Sequence, residues 1–409
     1  MNLLLVATGY LPYTFSENIC NGKLVLALQL AGHHVDVICR KDEGPAYCTA
    51  WTEPWSELEK QTHEVTYNAM GKVGQVSDIL KACFCTQSLP MSGIRWCRYA
   101  VDLAIKLHFS KHYDAILTRS PSDAPHLVGR AFARRTGIKW LANWNDPAMT
   151  IWPGCYDNHI SPLYSKMYNY ILTSCMKEAT VNTFPSKLLM EHFQKHFPDL
   201  KAKNCRVIPH VQLPDACFPR HRYRKGAIFR MCHAGNMSGE RNPSLFFAAM
   251  RRVMDESGQE LELDIMGVSS PHVQELVDTY NLSNHVRFIG VLSYRDALIT
   301  MQTYDILVLL EAQLDLGIFF ASKITDYAQT GRPILAVSPK QGFATDLFNQ
   351  YGGGISVCND QEDSIVEGLC RLLVAWQSDT LESDFSLSQL NKQFCAENIN
   401  NIYEELLSL

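Results

Sequence analysis

Apolar residues fall in short runs broken by polar turns, and the runs carry two periods. Leu3 to Ala7 is a continuous apolar run of strand length. A turn with Gly9 and Pro12 follows, then Leu24, Leu28 and Ala31 recur at helical spacing in a helix from about Cys20 to Leu30. Gly32 ends that helix and Val35 to Cys39 is the next strand. Strand, loop, helix, glycine, strand is a βαβ unit, and such units pair in parallel. The pattern returns at Ala115 to Leu117, with a helix over Pro125 to Thr136, Gly137, and a strand over Lys139 to Ala142. Ala179 to Thr183 and Arg206 to Ile208 are further strands, with Pro185-Ser186 opening the helix between them.

Residues 209 to 226 break this rhythm. They hold Pro209, Pro214 and Pro219 and the run Arg220-His221-Arg222-Tyr223-Arg224-Lys225, and read as an interdomain linker. A second αβ series begins at Ile228, with strands near 228–233, 261–266, 286–289, 305–310 and 333–337. In the tail, Ile399, Ile402, Tyr403, Leu406 and Leu407 lie on one helical face that needs a surface to pack on. The expected architecture is α/β, with two Rossmann-like domains. The first spans 1–210 and takes back the tail helix from 386–409; the second spans 226–385.

Composition narrows the partners. The chain has 409 residues and a net charge of −5, so its surface as a whole is not built for nucleic acid. Fourteen cysteines without a regular framework read as reduced thiols, which implies a reducing compartment. Cys83/Cys85 and Cys205/Cys217 lack the second half of a zinc knuckle. The apolar start has no preceding Lys or Arg and reads as a buried strand. No stretch reaches the ~20 apolar residues that span a bilayer. The expected location is the cytoplasm, with no metal and no cofactor.

In doubly wound sheets, ligands lie beyond the carboxyl ends of the strands. The loop after 228–233 holds Gly235, Asn236, Gly239 and Arg241, and Ser238 or Asn242 can cap the helix near Pro243. A helix N-terminus with an adjacent arginine suits an anion; the same residues also make an ordinary capped turn. After Leu310, a loop with Gly317 leads to Ser322-Lys323, which opens a helix ending at Gly331. Lys323 and Asp326 share one helical face. The lysine can reach a phosphate and the carboxylate a ribose diol, or the two form an exposed ion pair.

These two segments resemble the donor site of the family 4 glycosyltransferases, in particular bacterial polysaccharide and capsule-type enzymes. The quoted residues are Gly235…Gly239-Glu240-Arg241 and Ser322-Lys323-Ile-Thr-Asp326-Tyr327…Gly331-Arg-Pro333. Val207-Ile-Pro-His210 is similar to the family's domain junction, and Val286-Arg-Phe-Ile-Gly290 to its nucleotide-side strand and loop. The resemblance covers the whole chain. It implies a GT-B fold, two domains facing a central cleft whose closure excludes water, and a retaining, metal-independent hexosyl transfer from a nucleotide sugar. The acceptor would be a glycan or a lipid-linked saccharide in surface polysaccharide synthesis. It places Arg241 and Lys323 on the diphosphate and Asp326 on the ribose, with Gly235, Asn236, Gly239 and Gly290 around the donor.

The sequence departs from the pattern in places. Ile318 stands where the first of two paired glutamates is expected, and Glu311 or Asp315 is the candidate replacement; Phe246 stands where the family has a lysine. In the N-terminal half, Tyr13, Ser16, Glu17 and Asn18 match the acceptor-side first loop, with Ser16-Glu17 in place of Gly-Gly. Asp146, in Asn143-Trp-Asn-Asp146-Pro147, is the catalytic candidate of that half, or the cap of a helix starting at Pro147. A nucleotide-sugar epimerase of the same fold and a catalytically degenerate binding protein are the alternatives. Phe84, Arg95, Trp96, Arg98, Tyr99, Lys106 and Lys111 form an aromatic and basic set expected to touch the cytoplasmic face of the inner membrane peripherally.

Overall fold

The structure is a computed structural model that describes residues 1–13, 15–41, 58–67, 70–156, 160–202, 205–237 and 239–408. The chain divides into two compact units. Met1–Trp152, Asp157–Pro214 and Ala396–Leu409 form the first; Pro153–Tyr156 and Asp215–Cys395 form the second.

The first unit is a seven-stranded parallel sheet in the order β3-β2-β1-β4-β5-β6-β7. The strands are β1 (Asn2–Ala7), β2 (His34–Arg40), β3 (Thr62–Val65), β4 (Ala115–Arg119), β5 (Lys139–Asn143), β6 (Val181–Phe184) and β7 (Cys205–Val207). Its helices are α1 (Ser16–Leu30), α2 (Lys72–Thr86), α3 (Ile94–Lys111), α4 (Ala124–Thr136), α5 (Pro162–Glu178) and α6 (Lys187–His196). β1 pairs with β2 and β4, so Leu3 to Val6 are buried on both faces. That double burial is why β1 reads as an unbroken apolar run.

The second unit is a six-stranded parallel sheet in the order β10-β9-β8-β11-β12-β13. Its strands are β8 (Phe229–Ala234), β9 (Leu261–Met266), β10 (Val286–Gly290), β11 (Ile306–Leu310), β12 (Ile334–Ser338) and β13 (Gly354–Cys358). Its helices are α7 (Ser244–Ser257), α8 (Pro271–Thr279), α9 (Tyr294–Met301), α10 (Lys323–Thr330), α11 (Phe343–Tyr351), α12 (Glu362–Gln377), α13 (Leu381–Asp384) and α14 (Ser388–Phe394). The last helix, α15 (Ala396–Ser408), returns to the first unit. Ile399, Tyr403, Leu406 and Leu407 bury its apolar face, and Asn400 Nδ2 donates to the Ala27 carbonyl of α1 at 2.9 Å.

β3 and the start of α1 are among the elements that escape the hydrophobic pattern. β3 is a four-residue edge strand, Thr-His-Glu-Val, with no apolar run. It is tied in through Asp36 of β2, which is fully buried. Asp36 accepts from Lys111 Nζ at 2.6 Å and Tyr113 Oη at 2.8 Å, and bonds His63 Nε2 of β3 at 3.0 Å. α1 starts at Ser16, earlier than the apolar spacing suggests, because its first turn is polar.

The aromatic and basic set at 84–112 does not form one surface. Trp96 is core, 1% exposed, since α3 packs its apolar face inward. Arg95 and Arg98 are engaged by Asp78, and Lys111 by Asp36. Phe84 and Lys106 are the members of the set presented to solvent. In the basic run of 220–225, Arg220 pairs with Asp215 and Lys225 with Asp379, within the second unit. None of the described helices is long and apolar enough to cross a membrane. The described cysteines form no disulfide with one another.

Candidate functional site

Three glycines build the floor of the site in the second unit. Gly235, Gly267 and Gly290 end the neighbouring strands β8, β9 and β10, and all three have positive φ. Gly235 N–H donates to the Met266 carbonyl at 2.7 Å, and Gly267 N–H to the Gly290 carbonyl at 2.8 Å. A β-carbon on Gly267 would lie 2.5 Å from the Gly235 carbonyl oxygen, so only glycine allows this approach. Asn236 Oδ1 accepts from Val268 N–H at 3.0 Å, which fastens the β8 loop to the β9 loop. Gly239 also has positive φ, and Asn242 Oδ1 accepts the Ser244 N–H at the start of α7. Ser238 lies outside the described residues.

Above this floor stands Lys323, the first residue of α10. A β-carbon on Gly235 would come within 2.4 Å of Lys323 Nζ. Tyr327, one turn later, fixes the helix: its hydroxyl accepts the Ala234 N–H at 2.8 Å. Glu311, just past β11, completes a charged group with Lys323 and Arg241. Burial lowers the Lys323 ammonium to about 7, assisted by Arg241 and opposed by Glu311. Burial raises the Glu311 carboxyl to about 7 against the pull of both cations. His233, buried beneath them, is held neutral by burial and by the Lys323 charge. The group therefore holds positive charge at the carboxyl end of a parallel sheet, where anions bind.

Asp326 is buried and accepts from Tyr294 Oη at 2.7 Å, which ties it to the start of α9 beyond Gly290. Tyr156 joins the unit from the short piece 153–156. Burial raises its hydroxyl, while Arg241 pulls it down. Its ring meets Phe319 at 5.6 Å. Asn359, after β13, donates to the carbonyls of Glu311 and Ala312 at 3.1 and 3.0 Å and so props the loop that carries Glu311. Ile318 is 1% exposed, an apolar side chain turned into the core where a sugar-binding carboxylate was expected.

The first unit gathers a second group at its strand ends. Asn18 is buried, and its amide donates to the Tyr10 carbonyl at 2.9 Å. It braces the loop after β1, on which Tyr13 is half-buried, and Ser16 is exposed at the start of α1. Glu17 accepts from Asn145 Nδ2 at 2.7 Å. Burial raises the Glu17 carboxyl well above its usual range; the Asp146 charge adds to this, and Arg119 and the Asn145 bond oppose it. Asp123 is raised to about 7, first by burial and further by Asp146, while the hydroxyl of Tyr168 opposes. Asp146 thus acts on two carboxyls from different loops. No helix starts at Pro147, so the capping reading of Asp146 does not hold.

Missed from the sequence were Tyr156, Asn359, Tyr294, Asp123 and Arg119. Each acts through a neighbour distant in the chain, and none sits in a recurring spacing. Of the two candidate replacements for the missing glutamate, Glu311 lies with Arg241 and Lys323, and Asp315 is exposed.

A family model described as glycosyl transferases group 1 matches residues 225–380, most of the second unit. No curated protein matches the chain in sequence. Sucrose-phosphate synthase from Thermosynechococcus elongatus superposes with a TM-score of 0.68 at 15% identity, over 100% of both chains. HepE from Anabaena, solved in complex with UDP and glucose, gives 0.69 at 14%, again over 100% of both. A TarM mutant from S. aureus, in complex with Fondaparinux, alpha-GlcNAc-glycerol and UDP, gives 0.66 at 10% over 100% of both. At these identities the likeness is one of fold, that of the GT-B glycosyltransferases. The match over 225–380 supports a glycosyltransferase.

Proposed function

We propose that this protein is a retaining glycosyltransferase of the family 4 type. It takes a hexose from a nucleotide sugar, with UDP-sugars the first to test, and passes it to a glycan or lipid-linked saccharide in surface polysaccharide synthesis. The observation that carries this is the convergence of Arg241, Lys323 and Glu311 on the Gly235 loop, inside the unit matched by the glycosyl transferases group 1 model.

Arg241 and Lys323 neutralise the departing diphosphate, so the chemistry needs no metal. Gly235 and Gly239 let the backbone approach the phosphates, and Gly290 leaves room beside the nucleoside. Asp326, oriented by Tyr294, accepts from the ribose hydroxyls. Glu311 takes the role that Ile318 leaves vacant and bonds the sugar. Asp146 and Glu17 serve the acceptor side in the first unit, where Tyr13, Ser16 and the Asn18-braced loop line the approach. The protein works at the cytoplasmic face of the membrane through peripheral contact.

Thermal-shift measurements over a panel of nucleotide sugars test this reading, since a ligand of the folded state raises apparent stability. The expected result is a rise with one nucleoside diphosphate and a larger rise with its sugar conjugate. No rise with any member would overturn the reading. The buried Ile318 favours a second reading, a protein that binds the donor without transferring it. Product formation with an acceptor extract separates the two, and consumption of donor without acceptor would instead mark an epimerase.

A further inference from the structure

Helix α2 is turned inside out. Val73, Val76, Leu80 and Phe84 follow at intervals of three, four and four residues, which places them on one face. They are 85, 58, 64 and 88% exposed. The buried face carries Asp78, Ala82 and Thr86. Asp78 is held there by Arg95 and Arg98, and the Thr86 carbonyl by Arg130. A helix that packs by its polar face and shows water its apolar face has a use for that face.

The stripe continues beyond α2. Phe84 stands as a ridge between two open grooves of about 600 and 520 Å³. Across the first groove lies Tyr170 of α5, 71% exposed, and one turn-pair before it Leu163, 81% exposed. The cations around the stripe are Lys72, Lys81, Arg135 and Lys166, all exposed. Of the nearby acids, Asp78 is turned inward and Glu178 is held by Arg134, which leaves Asp102. In a chain of net charge −5, positive charge thus gathers around this exposed apolar stripe.

We propose that this face of the first unit, the α2 stripe with Tyr170 and Leu163 of α5, docks on an anionic lipid surface. The apolar side chains enter the headgroup boundary and the lysines and Arg135 meet the lipid phosphates. A second copy of the chain fits poorly, because stacking the stripe on itself would press Lys72, Lys81 and Arg135 against their own images. The inference rests on the peripheral-contact part of the proposed function and is independent of the transfer chemistry.

Co-sedimentation of the full chain with vesicles tests it. Vesicles of phosphatidylcholine mixed with phosphatidylglycerol should bind the protein at low salt and release it as salt rises; pure phosphatidylcholine should bind it weakly. The double variant Leu80→Gln/Phe84→Gln should bind at least about tenfold more weakly, and Lys81→Glu/Arg135→Glu likewise, both at unchanged Tm. If wild type and variants bind anionic vesicles equally, peripheral contact stands and this surface is wrong. If wild type stays in the supernatant, contact and surface fail together. A dimer in solution that Leu80→Gln/Phe84→Gln converts to monomer would assign the stripe to a second copy and overturn the proposal.

Discussion

The Lys323 ammonium lies over Gly235, so close that a β-carbon on Gly235 would sit 2.4 Å from Lys323 Nζ. The glycine makes the seat and the lysine fills it. Gly235 also has a φ of +131°, which a side chain rarely adopts. Gly235→Ala should therefore displace the lysine and strain the loop together. We expect nucleoside-diphosphate affinity to fall as far as in Lys323→Ala, with a stability loss of about 1–3 kcal/mol. Calorimetric titration with UDP and a thermal melt read the two effects. Unchanged affinity would show that Lys323 does not serve the anion.

Arg241 and Lys323 should act on one ligand. A charge-assisted hydrogen bond contributes roughly 1.5–3 kcal/mol, so Arg241→Ala should weaken nucleoside-diphosphate binding by about one to two orders of magnitude. Asp326→Ala should weaken the nucleotide and leave inorganic diphosphate alone, because only the nucleotide carries a ribose. The comparison of the two ligands on one variant is the deciding measurement. Equal losses for both would remove Asp326 from the ribose.

The pH dependence follows from the same group. Lys323 titrates near 7 because burial and Arg241 disfavour its charge, and Glu311 near 7 because burial disfavours its charge. Below that pH the lysine is positive and the glutamate neutral, and both changes favour an anion. Affinity for a nucleoside diphosphate should rise as pH falls from about 8 towards 7, with proton uptake on binding. Calorimetry in two buffers of different ionisation enthalpy measures the uptake. Affinity that is flat over this range, with no proton taken up, would contradict the assignment. Lys323→Ala should flatten most of the slope.

Both sheets were legible in the sequence because their central strands are buried on both faces and so read as plain apolar runs, as in Leu3–Ala7 and Ile306–Leu310. β3 and β13 were not: β3 draws its stability from Asp36 and the sheet edge rather than from apolar side chains, and β13 is a glycine-led edge strand, Gly-Ile-Ser-Val-Cys. In the sequence α3 and the end of α2 show only as an aromatic and basic set from Phe84 to Lys111. The inverted face of α2 defeats the usual pattern, and the charged neighbours of Trp96 mask its place in the core. Of the site, the Gly235 loop and the Lys323 helix carry their own spacing. Glu17 in the first turn of α1, Asp146 after β5 and Asp123 after β4 meet only through the fold, and no local pattern brings them together.

Asp36 offers a stability test away from the site. Its carboxylate is fully buried, and the hydrogen bonds from His63, Lys111 and Tyr113 outweigh burial to hold its pKa below the usual range. A depressed carboxyl contributes stability above the unfolded value, lost as pH falls through the folded one. Asp36→Asn leaves Lys111 without its counter-charge and should cost about 2–4 kcal/mol near neutral pH. The difference from wild type should shrink below about pH 4, where the unfolded aspartate protonates. Denaturant melts at the two pH values check both expectations.

Asp146 and Glu17 give the last test, which separates acceptor chemistry from donor binding. Burial, and after it repulsion from Asp146, raises the Glu17 carboxyl above its unfolded value. A raised carboxyl contributes stability at low pH and loses it as pH climbs from the unfolded to the folded pKa. Wild type should therefore lose stability as pH climbs above the usual carboxyl range, and Asp146→Asn should lose less, because one cause of the shift is gone. The same variant leaves Arg241, Lys323 and Asp326 untouched, so UDP should bind as in wild type. If Asp146 handles the acceptor hydroxyl, turnover should drop by about a hundredfold or more with no change in UDP affinity. Turnover equal to wild type would move the acceptor role to Glu17 alone, and Glu17→Gln should then carry the whole loss.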